Sequence, residues 1–354
     1  MALFRPRLTW RTRLLVLLAI ALLAWIYSLQ FHPAREDAPG QRAALANRVR
    51  ATQPPRVDAP TLLADVKALA DPRMEGRAVG TVGGRRARDY LRQRFAATGL
   101  EPLGRGFDQP FSFTPGRGLR FWNAKFWQAP RPVAGVNLVG RIRGSALPGS
   151  VLVVSAHYDH LGIRKGLMYP GADDNASGVA AMLAAATWFK AHPPRHTLLF
   201  VAFDGEERGL RGARAFVASP PVPLPSIRMD LNFDMLSRNP AGEIFVTGLH
   251  ANPQLRPLVD RVRISATPTI LYGHDFPRPF WNTDDWTGQS DQGAFADRGI
   301  PFLYVGVEDH PDYHRPTDSF ARIDAPFYSG VANAMVDLVL SLDTADDAQI
   351  AKRM

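Results

Sequence analysis

Two uninterrupted apolar runs, Val151–Ser155 and Thr197–Ala202, constrain this chain more than any other feature. A strand with one wet face alternates apolar and polar residues, whereas a continuous Val/Leu-rich run reads as a strand buried on both faces. Such strands belong to parallel sheets covered by helices. Helices are expected at Thr61–Ala70, Arg86–Ala97, Ser177–Phe189, Arg208–Ala218 and Pro326–Leu342, several of them with apolar residues at helical spacing. Ile227–Phe233, Ile244–Thr247 and Phe302–Val307 complete the expected strands, Gly76–Gly84 reads as a Gly-rich turn, and Asp343–Met354 as a frayed tail. The alternation implies an α/β fold: a single globular domain with a mostly parallel central sheet flanked by helices and ligands at the C-terminal strand edges. With no internal repeat, residues 59–345 read as one domain and 346–354 as a tail.

Composition narrows the class. An apolar content of 46% over 354 residues can fill a real core. The lack of Cys removes disulfide scaffolds, thiolate metal sites, cysteine nucleophiles and the acylated anchor of a lipoprotein. The net charge of +9 is concentrated: eight Arg against Glu36 and Asp37 in the first fifty residues account for six of those charges. With no basic stripe and no nucleic-acid motif elsewhere, the charge speaks for membrane topology and against a nucleic-acid partner. Arg5, Arg7, Arg11 and Arg13 precede an apolar run, Leu14–Leu29, that ends in Trp25 and Tyr27. Arginines so placed keep an N-terminus in the cytoplasm and send the remainder across. The run exceeds a usual signal-peptide core, falls slightly short of the ~20 residues that span a bilayer, and is followed by no small-residue cleavage site. Residues 1–13 therefore read as a cytoplasmic basic segment, 14–31 as a signal anchor, and 32–58 as a Pro/Ala/Arg-rich tether. A cleaved signal peptide and a buried helix are the alternatives. Anchor and cleaved signal both place the domain outside the cytoplasm, periplasmic or extracellular.

Five segments place metal-capable side chains past strand ends. His157 and Asp159 lie in Ser155–His160, directly after the first apolar run, where an imidazole can bind metal and a carboxylate can fix its tautomer. Gly171–Gly178 brackets Asp173, Asp174 and Asn175, whose charges repel in a dry site unless a cation sits among them. Glu206 and Glu207 follow the second run; adjacent glutamates point apart, so one can bind metal while the other holds a water as general base. Asp234 ends the Leu231–Phe233 run, and Tyr313-His314 sits beyond the last strand. Each segment alone has a bland explanation: surface histidines in a turn, an Asx turn with an N-cap, an acidic helix start, a capping Asp, a solvated His. Together they suit two borderline cations ~3.5–4 Å apart with a bridging carboxylate and an activated water.

On the segments SAHYDHLG, GADDNASG, FDGEE, NFDM, SDQGAF with GIPF, and DYHRPTDS, together with Glu75-Gly76-Arg77, Gly80 and Gly84, the chain resembles the di-zinc aminopeptidase family from about Leu62 to Leu342. That family includes secreted bacterial leucine aminopeptidases, plasma glutamate carboxypeptidases and, more distantly, glutaminyl cyclases. The resemblance implies two Zn²⁺ per chain, with His157 and Asp234 on one, Glu207 and His314 on the other, and Asp174 bridging through a peptide to Asn175 that is often cis. It implies Glu206 as general base, Tyr313 as donor to the developing oxyanion, Asp159 as the group orienting His157, and Asp291 as a supporting residue. The expected substrates are peptides with a free N-terminus.

Gln292 departs from the pattern, since relatives often carry His there. The aromatic stretch Tyr272–Gly288, with Phe276, Phe280, Trp281 and Trp286, is expected to wall the pocket for the first side chain; a loop packing on its own aromatics is the alternative. Other functions of the same framework are a dipeptidase or carboxypeptidase, a glutaminyl-cyclase-like acyltransferase, and a metal-free binding relative.

Overall fold

The computed structural model describes residues 55–115, 131–262, 268–275 and 285–351, together with Leu22. The expected basic segment, the anchor apart from Leu22, and most of the tether lie outside the described residues, as do Phe276, Phe280 and Trp281.

In chain order the elements are helices α1 (Ala59–Leu69) and α2 (Val82–Thr98), then strands β1 (Glu101–Pro102), β2 (Asp108–Phe113), β3 (Val133–Ile142) and β4 (Leu147–His157). The short pair β5 (Gly162–Arg164) and β6 (Leu167–Tyr169) precedes α3 (Gly178–Ala191), β7 (His196–Phe203), α4 (Arg211–Ala218), β8 (Ile227–Phe233) and β9 (Glu243–Thr247). Helix α5 (Arg256–Val259), β10 (Thr269–Tyr272), α6 (Gln292–Ala296), β11 (Phe302–Gly306), α7 (Ala325–Asp343) and α8 (Asp347–Ile350) complete the chain.

Nine strands form one sheet in the order β1-β3-β7-β4-β8-β11-β9-β10, with β2 also on β3. Its centre, β7-β4-β8-β11, is parallel, as expected. The margins are not: β3 runs antiparallel to β7, and β9 to β11. The uninterrupted apolar runs are explained by two cores. Leu152 and Val154 of β4 and Leu198, Phe200 and Ala202 of β7 face one cluster, while Val151, Val153, Leu199, Val201 and Phe203 face the other. Helix α3 lies on the first face against α1, α2 and α7; α4 and α6 cover the second. Helix α7 is apolar and long enough to cross a membrane, but it is largely buried against the core.

The C-terminus corrects the expectation of a frayed tail. Asp346 and Gln349 form a reciprocal capping box on α8, Ile350 is fully buried, and Asp343 accepts hydrogen bonds from the backbone N–H groups of Arg195 (2.9 Å) and His196 (2.8 Å). A four-residue helix has too little periodicity to be read, yet its cap satisfies the backbone groups that would otherwise fray. Residues 346–351 thus pack onto the domain.

Candidate metal centre

The central strands end on one edge, and each delivers a side chain there. His157 is the last residue of β4 and pairs in register with Phe203, the last of β7. Asp204–Glu207 therefore leave the sheet beside His157. Asp234 follows β8, and residues 307–314 follow β11, the strand parallel to β8. The Asp174 turn, Ala172–Ser177, leads into α3.

Two overlapping donor groups result. His157, Asp174 and Asp234 offer ligand atoms that lie within 4.8 Å of one another, and so do His160, Asp174 and Glu207. His157 Nε2 is 3.2 Å from Asp234 Oδ1 and 3.4 Å from Asp174 Oδ1. The other oxygen, Asp174 Oδ2, is 3.1 Å from His314 Nε2 and 3.6 Å from His160 Nδ1. Glu207 Oε1 is 2.8 Å from His160 Nδ1 and 3.4 Å from His314 Nε2. The five expected ligands, His157, Asp174, Glu207, Asp234 and His314, thus face one centre, with the two oxygens of Asp174 directed at different groups. His160 joins them, and sequence reasoning missed it; a His-x-x-His spacing immediately after a buried strand was the available signal.

The charges fit a cationic occupant. Burial pushes the Asp234 carboxyl up against the lowering effect of His157, and burial pushes Asp291 up to about 7. Glu206, enclosed near Asp291, Asp234 and Asp159, is raised well above the carboxylate range, chiefly by burial. Glu207 is held low despite burial, because His160 and His314 sit on its carboxylate. So many carboxylates in one partly dry site repel unless positive charge is placed among them. Imidazole and carboxylate donors are those of zinc sites, the ion the fold implies.

The supporting contacts are specific. His157 Nδ1 lies 3.1 Å from the backbone carbonyl of Asp159, which fixes the tautomer and leaves Nε2 for metal. The orienting acceptor is thus the carbonyl of Asp159. Its carboxylate, 3.8 Å from Nδ1, instead accepts the backbone N–H of Glu206 at 2.9 Å. The Asp174–Asn175 peptide is cis, and Asn175 ties the turn to the end of β8 by donating to the Phe233 carbonyl (2.9 Å) and accepting from Met235 N–H (3.2 Å). Asp173 does not reach the donor groups: it accepts from the Ser237 N–H and hydroxyl, and its other oxygen lies 3.0 Å from His310 Nε2. Asp318 accepts the N–H groups of both Asp173 and Asp174. Asp291 is buried behind the site with neither oxygen hydrogen-bonded. Gln292 takes a defined place: it accepts from Asn232 (2.9 Å) and donates to the Trp286 carbonyl (2.6 Å).

Beside the donors is a cavity of about 260 Å³ lined by Glu206, Asp309, Trp286, Tyr304, Tyr313 and the ligand set. Trp286 stacks on His274 with ring centres 3.7 Å apart, so this part of the expected aromatic wall does line the pocket. Tyr313 stacks on His314 at 3.9 Å. Tyr304, hidden within a predicted strand, was missed; its hydroxyl donates to the Asp234 carbonyl at 3.2 Å.

A buried strand-edge centre of this kind defines a candidate metal-dependent enzyme, and comparison with known proteins gives its family. Residues 137–339, more than half the chain, match the model of peptidase family M28, and the chain belongs to that family. A probable zinc metalloprotease of Pyricularia oryzae is 42% identical over 91 residues, 25% of this chain and 18% of that protein. The first such curated relatives are matched over only 18% to 26% of their own length. Among solved structures, a zinc aminopeptidase from Bacillus subtilis superposes with a TM-score of 0.62 at 16% identity, over 84% of this chain and 98% of that one. A glutaminyl cyclase from Bacteroides thetaiotaomicron gives 0.61 at 16%, over 81% and 99%. At such identities the likeness is one of fold.

Proposed function

We propose that this chain is a di-zinc aminopeptidase that removes the N-terminal residue of peptides. The observation that carries the reading is the pocket's charge: Asp174, Glu206, Glu207, Asp234 and Asp309 line it, and among the described residues no Lys or Arg does. A carboxypeptidase needs a cation for its substrate's terminal carboxylate. An α-ammonium, by contrast, finds in Asp309 a carboxylate outside both donor groups.

Asp174 would bridge the ions, His157 and Asp234 holding one, Glu207 and His314 the other. When bound, the two zinc ions acidify a shared water and polarise the scissile carbonyl. Glu206 takes the proton of the attacking water and returns it to the leaving amine, so bond making and bond breaking use one carboxylate. Asp159, through the Glu206 N–H, fixes where that carboxylate starts. Tyr313, on the pocket wall, would donate to the oxygen that becomes negative. The complete double donor set favours hydrolysis over the cyclase reading.

A panel of aminoacyl-p-nitroanilides, N-acetylated counterparts and an N-terminal glutaminyl peptide tests this. Hydrolysis of free substrates only, abolished by chelator and restored by zinc, is expected. Asp309→Asn should raise KM by about tenfold for free substrates, one charge-assisted hydrogen bond being worth roughly 1.5–3 kcal/mol when its partner stays charged. Equal rates on blocked substrates, or release of ammonia from the glutaminyl peptide without hydrolysis, would overturn it.

The Arg-flanked apolar segment supports a further part of the reading: the domain is tethered outside the cytoplasm, periplasmic or extracellular. Protease added to cells whose outer envelope is opened but whose cytoplasmic membrane is intact should then degrade the domain; protection until that inner membrane is lysed would sink the assignment.

A further inference from the structure

His160 has no part in the ligand set the resemblance implies, yet it is one of the most enclosed polar groups at the centre. It is 1% exposed, and neither ring nitrogen makes a hydrogen bond. Glu207 Oε1, at 2.8 Å from its Nδ1, is likewise buried without a hydrogen-bond partner. A buried imidazole normally satisfies at least one nitrogen, because an orphaned polar atom carries its full desolvation cost. Here Nδ1 lies within 3.6 Å of Asp174 Oδ2 as well as 2.8 Å from Glu207 Oε1, the two oxygens that His314 Nε2 also approaches, at 3.1 and 3.4 Å.

The spacing is that of a coordination shell. Donors around a tetrahedral zinc ion, with bonds of about 2.0–2.1 Å, stand roughly 3.3–3.5 Å apart. The four imidazole–carboxylate separations, of His160 and His314 from Asp174 and Glu207, are 2.8, 3.1, 3.4 and 3.6 Å, which bracket that value. The backbone is shaped to keep the ring there. Gly171, at φ +58°, lies directly against it, and a Cβ on Gly171 would come within 2.6 Å of the imidazole carbons. No larger residue fits between the Asp174 turn and His160.

We propose that His160 Nδ1 is a metal ligand, so that one ion position is held by four protein groups, His160, Asp174, Glu207 and His314, and the other by three, His157, Asp174 and Asp234. This rests on the dinuclear reading above and makes the two positions unequal. A shell filled by four protein donors has the form of a structural zinc site, whereas a three-donor shell keeps a place for water or substrate. The four-donor ion would therefore be the one retained longest, and the three-donor ion the one with room for the substrate carbonyl beside the shared water.

The full chain, loaded with zinc, is dialysed against graded chelator and its metal counted. The wild type should release its ions in two separated steps. His160→Ala and the bulkier His160→Gln should weaken the tighter step by more than the ~10–100-fold that loss of an outer partner costs, merging the two. Because a buried ring can be needed for folding, the wild type supplies an independent readout: anomalous scattering from a zinc-loaded crystal should place an ion about 2.0–2.1 Å from His160 Nδ1. Two ions with Nδ1 more than ~3 Å from either would refute the His160 assignment and leave the dinuclear reading intact, given zinc–nitrogen bonds near 2 Å. A wild type that never holds a second ion would overturn the dinuclear reading itself, and with it the contrast between positions.

Discussion

Replacing Glu206 with Gln is expected to lower kcat by about 10³-fold or more while metal content stays at the wild-type level and KM changes little. The argument is a division of labour between neighbours. Glu207 is pulled down by the two imidazoles on its carboxylate, whereas burial near Asp291, Asp234 and Asp159 lifts Glu206 far above it. Two adjacent carboxyls driven apart in this way suit a permanent anion for metal and a base for protons. Glu206 belongs to neither donor group, so its amide variant should load metal normally. Its backbone is fixed independently of the carboxylate: the N–H donates to Asp159, and the carbonyl accepts from Gly209 (2.7 Å) and Leu210 (2.9 Å). The amide thus keeps the shape and loses both proton transfers, more than the loss of one oxyanion donor removes. Steady-state kinetics with metal analysis on the same sample checks this. A variant with full zinc and more than a tenth of wild-type kcat would remove Glu206 from the chemistry.

His157, Glu206, Glu207 and Asp234 were legible as candidates because each follows a strand whose burial on two faces can be read from its apolar run, whereas Asp174 was legible from the acidic run that Gly171 and Gly178 bracket. Val151–Val154 and Thr197–Ala202 announce their own ends, and the polar residue at such an end lies on the sheet edge whatever the loops do. Strand β3 was not legible. Its sequence carries Gly135, Asn137 and Gly140, which argue against a strand, but the glycines make room: a Cβ at 135 would meet the Phe111 ring at 2.3 Å, and one at 140 would meet Leu100 at 2.8 Å. Asn137 is satisfied by tertiary partners: its side chain donates to Gln109 and the Gly212 carbonyl and accepts from the Asp204 N–H. Neighbouring chain, not local propensity, decides such a strand. His160 fails to be read for a related reason. Sequence gives its identity and its distance from His157 along the chain, but ring direction depends on Gly171 and on the turn that brings it close. Asp159 shows the same gap at finer scale, since two acceptors on one residue serve two different partners, and only geometry tells which one holds the imidazole.

Arg77 lies in the Gly76–Gly84 segment that reads as a mere turn, and its replacement by Ala is expected to be the most destabilising single change in the domain. The side chain is fully buried and its guanidinium donates to four backbone carbonyls: Tyr158 at 2.8 Å, Leu69 at 2.7 Å, Pro170 at 2.6 Å and Gly171 at 2.8 Å. One group thereby ties the end of α1 to the two loops that carry His157, His160 and Asp174. Burial lowers its pKa to about 10 against the raising effect of Asp174, Asp318, Asp159 and Glu207, so it stays a cation at neutral pH. Removing it takes the donor from four buried carbonyls, of which only Gly171 keeps another partner among the described residues, the Ala176 N–H at 3.2 Å; a buried acceptor left unmade costs roughly 1–3 kcal/mol, and a cavity is left as well. The loss, about 4 kcal/mol or more, approaches the ~5–15 kcal/mol that holds a typical domain together. Arg77→Met keeps most of the volume and none of the donors, so it should fall nearly as far as Ala; Arg77→Lys keeps the charge with three donors in the wrong geometry and should recover only part. Urea unfolding of the three variants in chelator separates this structural cost from any metal effect. Variants within about 1 kcal/mol of wild type would mean that the carbonyls find other partners, water included, and that the guanidinium is not what joins these loops.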